Sequence, residues 1–202
     1  MSASTFQLED IQGIHILRLS SADGTNRLKH VAVLSLNETL RHLAAVARPL
    51  IITGDYRFFS AGADLAEIAT LNGPSAYEFA KTGQQLMQTI AEFPAPVYAA
   101  ISGYCMGGGL DLALACRYRI ASPHAVFGHR GAALGLITGW GGTQRLPRLI
   151  GKARALEMLI AAEKLSASRA LSFGLVDAIA DDPVAEAVAR IRAPRDLPLS
   201  ST

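Results

Sequence analysis

Two short segments carry residue types that could do chemistry, "FSAGADL" (59–65) and "MGGGLDL" (106–112). Each runs from small residues straight into a helix-forming stretch. Glycine inside a helix costs about 0.8–1 kcal/mol relative to alanine, so Gly107, Gly108 and Gly109 need a reason to stand together. A helix N-terminus presents unpaired N–H groups and about half a positive charge. Glycine removes the Cβ that would hold an incoming oxygen away from them. If the N–H groups of the two segments converge, they form an oxyanion hole, with each donor worth about 2.7–4 kcal/mol. The alternative is that small residues only let two helices pack closely, and for either segment alone both readings stay open. Asp111, just inside the second helix, reads either as an acid/base group or as a first-turn aspartate facing its own helix's positive end.

The elements that must position these residues follow from pattern and punctuation. Segments 6–9 and 13–19 read as strand, turn and alternating strand, and 20–26 as a loop. Apolar residues recur on one helical face from Leu28 to Val46. The stretch 49–54 reads as a short buried strand, and 58–71 turns through small residues into a helix. A long helix is expected from Pro74 to Phe93, with proline well placed in its first turn. A strand at 96–103 leads into the glycine-led helix, which ends near Cys116. "YRIAS" and "AVFG" read as strands, "GWGGTQRLPRLIG" and "KARALEMLIAA" as paired helices, and "SASRALSFGLVDAI" as helix, turn and strand. One more helix is expected at Pro183–Ile191, and the tail "RIRAPRDLPLSST" loses helical pattern and is expected to fray. Strands alternating with helices through glycine-rich turns indicate an α/β fold with parallel pairing through right-handed crossovers. The division expected is a core over 1–180 followed by a short C-terminal helix and tail over 181–202.

Composition narrows the function classes. Half of the 202 residues are apolar, 18% are charged and the net charge is +2, with no Lys/Arg block. That is a globular chain with neither nucleic acid nor an anionic membrane as its expected partner. The N-terminus has no basic-then-apolar leader pattern, and no apolar run approaches the ~18 residues of a spanning helix. Cys105 and Cys116 sit in apolar surroundings and read as buried free thiols. A soluble, cytoplasmic protein is expected. The phosphate-loop, dinucleotide, Gly-x-Ser-x-Gly and zinc-helix motifs do not occur.

"FFSAGADLAEI", "ISGYCMGGGLDLALACRYRIAS", "FGHRGAALGLITGWGGTQRLPRLIGKARALEM" and "GLVDAI" resemble the crotonase (enoyl-CoA hydratase/isomerase) family, in the family's order and spacing from Gly13 to Asp177. The resemblance implies a crotonase-like spiral of strand–strand–helix units, trimeric or hexameric, acting on acyl-CoA thioesters. It implies no permanently bound cofactor, coenzyme A arriving as part of the substrate. It also implies that the thioester carbonyl is held by the amides of Ala63 and Gly108 while an enolate forms. Matching motifs place the CoA-binding stretch at Ala61 to Leu65, including Asp64, with help from the loop of Asn26, Arg27, Leu28 and Lys29. Trp140 is expected as packing in the core or along the CoA channel, and Cys105 and Met106 as buried packing.

The chain also departs from the pattern it resembles. The family's hydratases carry two glutamates that position and deprotonate water. Here the first position is Asp111, one methylene shorter, and the second is Gly131, which has no side chain. His129 and Arg130 flank that gap. His129 stands as a replacement base, since free imidazole ionises near neutrality, and Arg130 as a holder of an anionic substrate group. Each also reads as a partly exposed loop residue without a role in chemistry. Glycine at the second position also occurs in the family's naphthoate synthase branch, where a bound bicarbonate is thought to be the base. Ala66 stands where many members have a lysine near the CoA phosphates, leaving Arg27 or Lys29 to substitute. Members normally continue through several more helices than the one expected here, so an exposed apolar face or an altered oligomer is anticipated. The pattern points most simply to isomerisation or weak hydration. The alternatives are a CoA-thioester binding protein without turnover and a decarboxylase of malonyl-type esters.

Overall fold

A computed structural model describes residues 5–192. It opens with an antiparallel hairpin, β1 (Phe6–Ile11) and β2 (Ile14–Leu19). A two-residue strand, β3 (Arg27–Leu28), precedes α1 (His30–Ala44). From there the chain winds in a repeating path. The first turn comprises β4 (Leu50–Thr53), β5 (Phe58–Ser60), β6 (Gly62–Ala63), α2 (Leu65–Ile68) and α3 (Gly73–Ala91). The second comprises β7 (Val97–Ile101), β8 (Tyr104–Met106) and α4 (Gly108–Ala115). The third comprises β9 (Tyr118–Ala121), β10 (Val126–Gly128), a 3₁₀ turn at Ala132–Leu134, α5 (Gly142–Ile150) and α6 (Lys152–Ile160). The described chain closes with β11 (Lys164–Ser166), α7 (Ala167–Ser172), β12 (Ala178–Ile179) and α8 (Pro183–Arg192).

Each turn gives its first strand to one sheet and its second to another. The larger sheet runs β1-β2-β4-β7-β9-β12, parallel beyond the hairpin, and the smaller runs β11-β10-β8-β5. This is the expected spiral of strand–strand–helix units. The central strands of the larger sheet are buried on both faces, while the edge strand β1 is largely exposed. Leu17, Leu50, Ile52, Ala99 and Ile101 point into the main core, whereas Ile14, Ile16, Ile51, Tyr98 and Ile120 meet α8 through Ala187 and Val184. Near-continuous apolar strands such as "LIIT" and "VYAAI" suit a parallel sheet covered on both sides.

Local chemistry explains the helix that backs the site. Asn72 caps α3 in a reciprocal box with Ser75, and Pro74 sits in the first turn. Its inward face is Phe79, Thr82, Gly83, Leu86, Met87 and Ile90, the spacing of one helical stripe. Asn37 of α1 accepts a 2.7 Å hydrogen bond from the Thr89 hydroxyl and fixes the two helices against each other.

Several boundaries differ from expectation for local reasons. Leu28 is a strand residue rather than the start of α1, because β3 pairs in parallel with β6 (Arg27 with Gly62, Leu28 with Ala63). Strands β5, β6, β8 and β11 are not expected from the sequence; two or three residues are too few to show an alternation. The last helix extends through Arg192, so the start of the presumed frayed tail is helical, and the rest of that tail lies outside the described residues. Cys105 and Cys116 are free and buried, and burial pushes the Cys116 thiol up to about 12. Among the described residues no helix is long and apolar enough to cross a membrane.

Candidate active site

The two glycine-bearing segments meet at one cavity of about 610 Å³. The first enters through β6, and its approach to the second is close because Gly62 has no side chain. A Cβ built there would lie 2.6 Å from the Met106 oxygen and 2.9 Å from the Gly108 nitrogen, and its φ of +91° also favours glycine. A Cβ on Gly108 would in turn lie 3.3 Å from the Ala63 nitrogen and 2.5 Å from the Trp140 ring. Two backbone nitrogens, Ala63 and Gly108, therefore border the same space. Gly108 is the first residue of α4, so its N–H has no partner within the helix.

Ala61, Ala63, Leu65 and Gly108 line the cavity, as do Asp111, His129, Arg130, Gly131 and Trp140. Of these, Trp140 is wall. It is 3% exposed, packs against Phe79 at 5.3 Å between ring centres, and lies flat enough on α3 that a Cβ at Gly83 would touch its indole at 2.1 Å. Met106, expected as buried packing, also lines the cavity.

The loop residues expected beside coenzyme A lie behind β6. Asn26 is buried, and its amide nitrogen donates to the Phe58 carbonyl at 2.9 Å and to Asp55 at 3.3 Å. Leu28 is packed in the core. Arg27 pairs with Asp23 at 3.1 Å on the surface. None of the three is among the residues lining the cavity. Asp64 caps α2, accepting from the amides of Ala66 and Glu67, and its other oxygen lies 3.9 Å from the Lys29 ammonium. The 26–29 segment thus holds β6 in place from behind.

The polar end of the cavity is compact. Asp111 is 2% exposed and accepts a short hydrogen bond from the Thr138 hydroxyl through Oδ2. Its Oδ1 rests against the opening turn of α5, where a Cβ at Gly142 would come within 2.2 Å, a place where partial positive charge favours a carboxylate. The same Oδ1 is 3.6 Å from Nε2 of His129. Both atoms are buried, and neither has a hydrogen-bond partner among the described residues. His129 is thus enclosed, not a partly exposed loop residue, because β10 carries it inward. Arg130 is exposed at the rim and forms no hydrogen bond or ion pair among the described residues. In the sequence Thr138 stands out only as a neighbour of Trp140 in the same segment, because a lone threonine among small residues carries no pattern that assigns it a role.

Gly131 closes a tight loop in which its carbonyl accepts from the amides of Leu134 and Leu136, both at 2.8 Å. A Cβ there would lie 2.7 Å from the Leu136 oxygen. Installing a glutamate therefore requires the loop to move. We expect Gly131→Glu to give no gain in crotonyl-CoA hydration and to lower stability by about 1–3 kcal/mol, as overpacking does. Denaturant unfolding and a hydration assay check both parts.

Comparison with known proteins decides the family. The family model described as enoyl-CoA hydratase/isomerase matches residues 9–194. The chain belongs to the enoyl-CoA hydratase/isomerase (crotonase) family. Among curated members it is 47% identical over 150 residues to a protein named probable enoyl-CoA hydratase from Bacillus subtilis, covering 74% of this chain and 58% of that one. It is 35% identical over 182 residues to a crotonyl-CoA hydratase from Syntrophomonas wolfei, covering 89% and 70% of the two chains. Solved family members superimpose closely. The enoyl-CoA hydratase from Thermoplasma volcanium matches with a TM-score of 0.90 at 32% identity, covering 97% of this chain and 79% of that one. The enoyl-CoA hydratase from Bacillus anthracis gives 0.89 at 32%, covering 94% and 76%. The chain thus spans somewhat over half the length of the Bacillus subtilis relative.

Proposed function

We propose that this protein acts on acyl-CoA thioesters, stabilising a thioester enolate between the amides of Ala63 and Gly108. The observation that carries this reading is the approach of those two backbone nitrogens at the wall of an otherwise largely apolar cavity. Donors fixed in a dry site need no reorganisation as negative charge develops on the carbonyl oxygen. The acyl chain would lie along Phe79, Leu134 and Trp140, with Ala61 and Leu65 at the CoA side.

The reaction proposed is isomerisation or weak hydration. With Gly131 in place of a second carboxylate, the cavity lacks the pair of acidic groups that would clamp a water. Asp111 and His129 are the acid/base groups within it. Arg130, unpartnered at the rim, favours a second reading in which a malonyl-type carboxylate is held and lost. We also propose a homo-oligomer, a trimer or hexamer, working in the cytoplasm. Ile137, Leu156 and Ile160 are 82%, 59% and 66% exposed around one apolar groove, more than a lone subunit comfortably leaves in water.

Thermal unfolding tests the ligand class. Acyl-CoA at 100 times its Kd should stabilise the fold by about 2.7 kcal/mol, whereas the free fatty acid should do far less. Unchanged melting with both acyl-CoA and free CoA at saturating concentration would exclude the reading.

A further inference from the structure

The acid/base step can be assigned more closely than a choice between two residues. Among the described residues, Asp111 Oδ1 and His129 Nε2 are the buried side-chain polar atoms of this cavity that lack a hydrogen-bond partner, and they face each other at 3.6 Å. Buried polar groups left unpaired are costly and uncommon, and they concentrate where chemistry needs them. Thr138 holds the far oxygen of the same carboxylate, so Asp111 is anchored and presents Oδ1 to the imidazole. Nδ1 is turned toward Gly131, 3.6 Å from where a Cβ at that position would sit. The missing side chain leaves that face of the ring uncovered.

We infer that Thr138, Asp111 and His129 form a relay in which His129 is the base and the other two position it. This rests on the thioester reading above. The Asp111 carboxylate, 3.6 Å from Nε2, draws the ring proton to that nitrogen and so favours the tautomer whose Nδ1 carries the free electron pair, the arrangement by which a carboxylate orients an imidazole. Nδ1 takes a proton from Cα of a β,γ-unsaturated acyl thioester. The C–H electron pair forms a Cα=C1 bond, and the carbonyl electrons move onto the oxygen between Ala63 and Gly108. The imidazolium then returns the proton to Cγ, the carbonyl re-forms, and the double bond passes from Cβ=Cγ to Cα=Cβ. No redox partner or water is needed. A single shuttling base suits a 1,3-proton transfer, whereas addition of water to the double bond is the reaction that calls for two groups.

The test uses the full chain and but-3-enoyl-CoA, with formation of crotonyl-CoA followed by absorbance. His129→Gln should lower kcat by about 10²–10⁴-fold with little change in KM, and free imidazole should restore part of the rate to His129→Ala. Asp111→Asn should lower kcat less than His129→Gln does, and the double variant should be no worse than His129→Gln alone. Thr138→Val should lower kcat at constant KM while Thr138→Ser retains it, a comparison that stands even if the histidine variants fold poorly. Full activity in His129→Gln, or abolition by Asp111→Asn with His129→Gln unaffected, overturns the relay. So does a wild type that binds acyl-CoA but leaves but-3-enoyl-CoA unchanged, or equal rates in Thr138→Val and Thr138→Ser. A wild type that binds no acyl-CoA at all removes the thioester reading itself, and the relay with it.

Discussion

Gly108→Ala is expected to reduce acyl-CoA turnover by about 10²–10³-fold, the effect of losing one oxyanion donor. A methyl group at this position would stand 3.3 Å from the Ala63 nitrogen, inside the space a thioester oxygen must enter. It would also press on the Trp140 ring at 2.5 Å, so a loss of stability of about 1–3 kcal/mol should accompany the loss of rate. Gly73→Ala is the matched control. Gly73 opens α3 with nothing within 4 Å of its would-be Cβ, so both rate and stability should stay near wild type. Steady-state kinetics and denaturant unfolding on the pair separate the local effect from the general cost of removing a glycine. Equal activity in Gly108→Ala and Gly73→Ala would mean that the Gly108 amide has no part in turnover.

Trp140→Ala is expected to cost about 3–5 kcal/mol, the range for truncating a buried aromatic side chain. The indole fills the junction of α3 and α4, touching the backbone at Gly83 and Gly108 and stacking near Phe79. Helix α3 is kept from closing the gap by the capping box and the Asn37–Thr89 hydrogen bond, which fix it against its own loop and α1. Against a total of about 5–15 kcal/mol for an ordinary domain, that loss should be evident in denaturant unfolding. Trp140→Phe should recover part of it. An unchanged midpoint in Trp140→Ala would show that the wall is not held by this side chain.

Much of this arrangement was legible in the sequence because it depends on local signals. Glycine ahead of a helix marks a close backbone approach whatever the fold, so the two glycine-bearing segments are visible locally, whereas the pairing of Ala63 with Gly108 comes from the family resemblance. The period of α3 and the apolar runs of β4 and β7 follow from burial on one stripe or on two faces. The placement of the 26–29 loop was not legible, because nothing local says that the Asn26 amide bonds to the Phe58 carbonyl rather than to a ligand. The pairing of His129 with Asp111 joins the residue just after β10 to one on α4 and depends on the loop that carries Thr138 folding over them. Single-residue reasoning treated His129 and Asp111 as rivals, whereas the fold makes them neighbours. The tightness at Gly131 likewise depends on a carbonyl five residues away.

A crystal structure with a non-reacting acyl-CoA analogue bound is the most direct measurement of the central claim. The account predicts the thioester oxygen about 2.7–3.1 Å from the amide nitrogens of both Ala63 and Gly108, with the acyl Cα facing His129 and the Gly131 gap. A thioester oxygen directed away from both amides, or an analogue bound outside the cavity between β6 and α4, would contradict it.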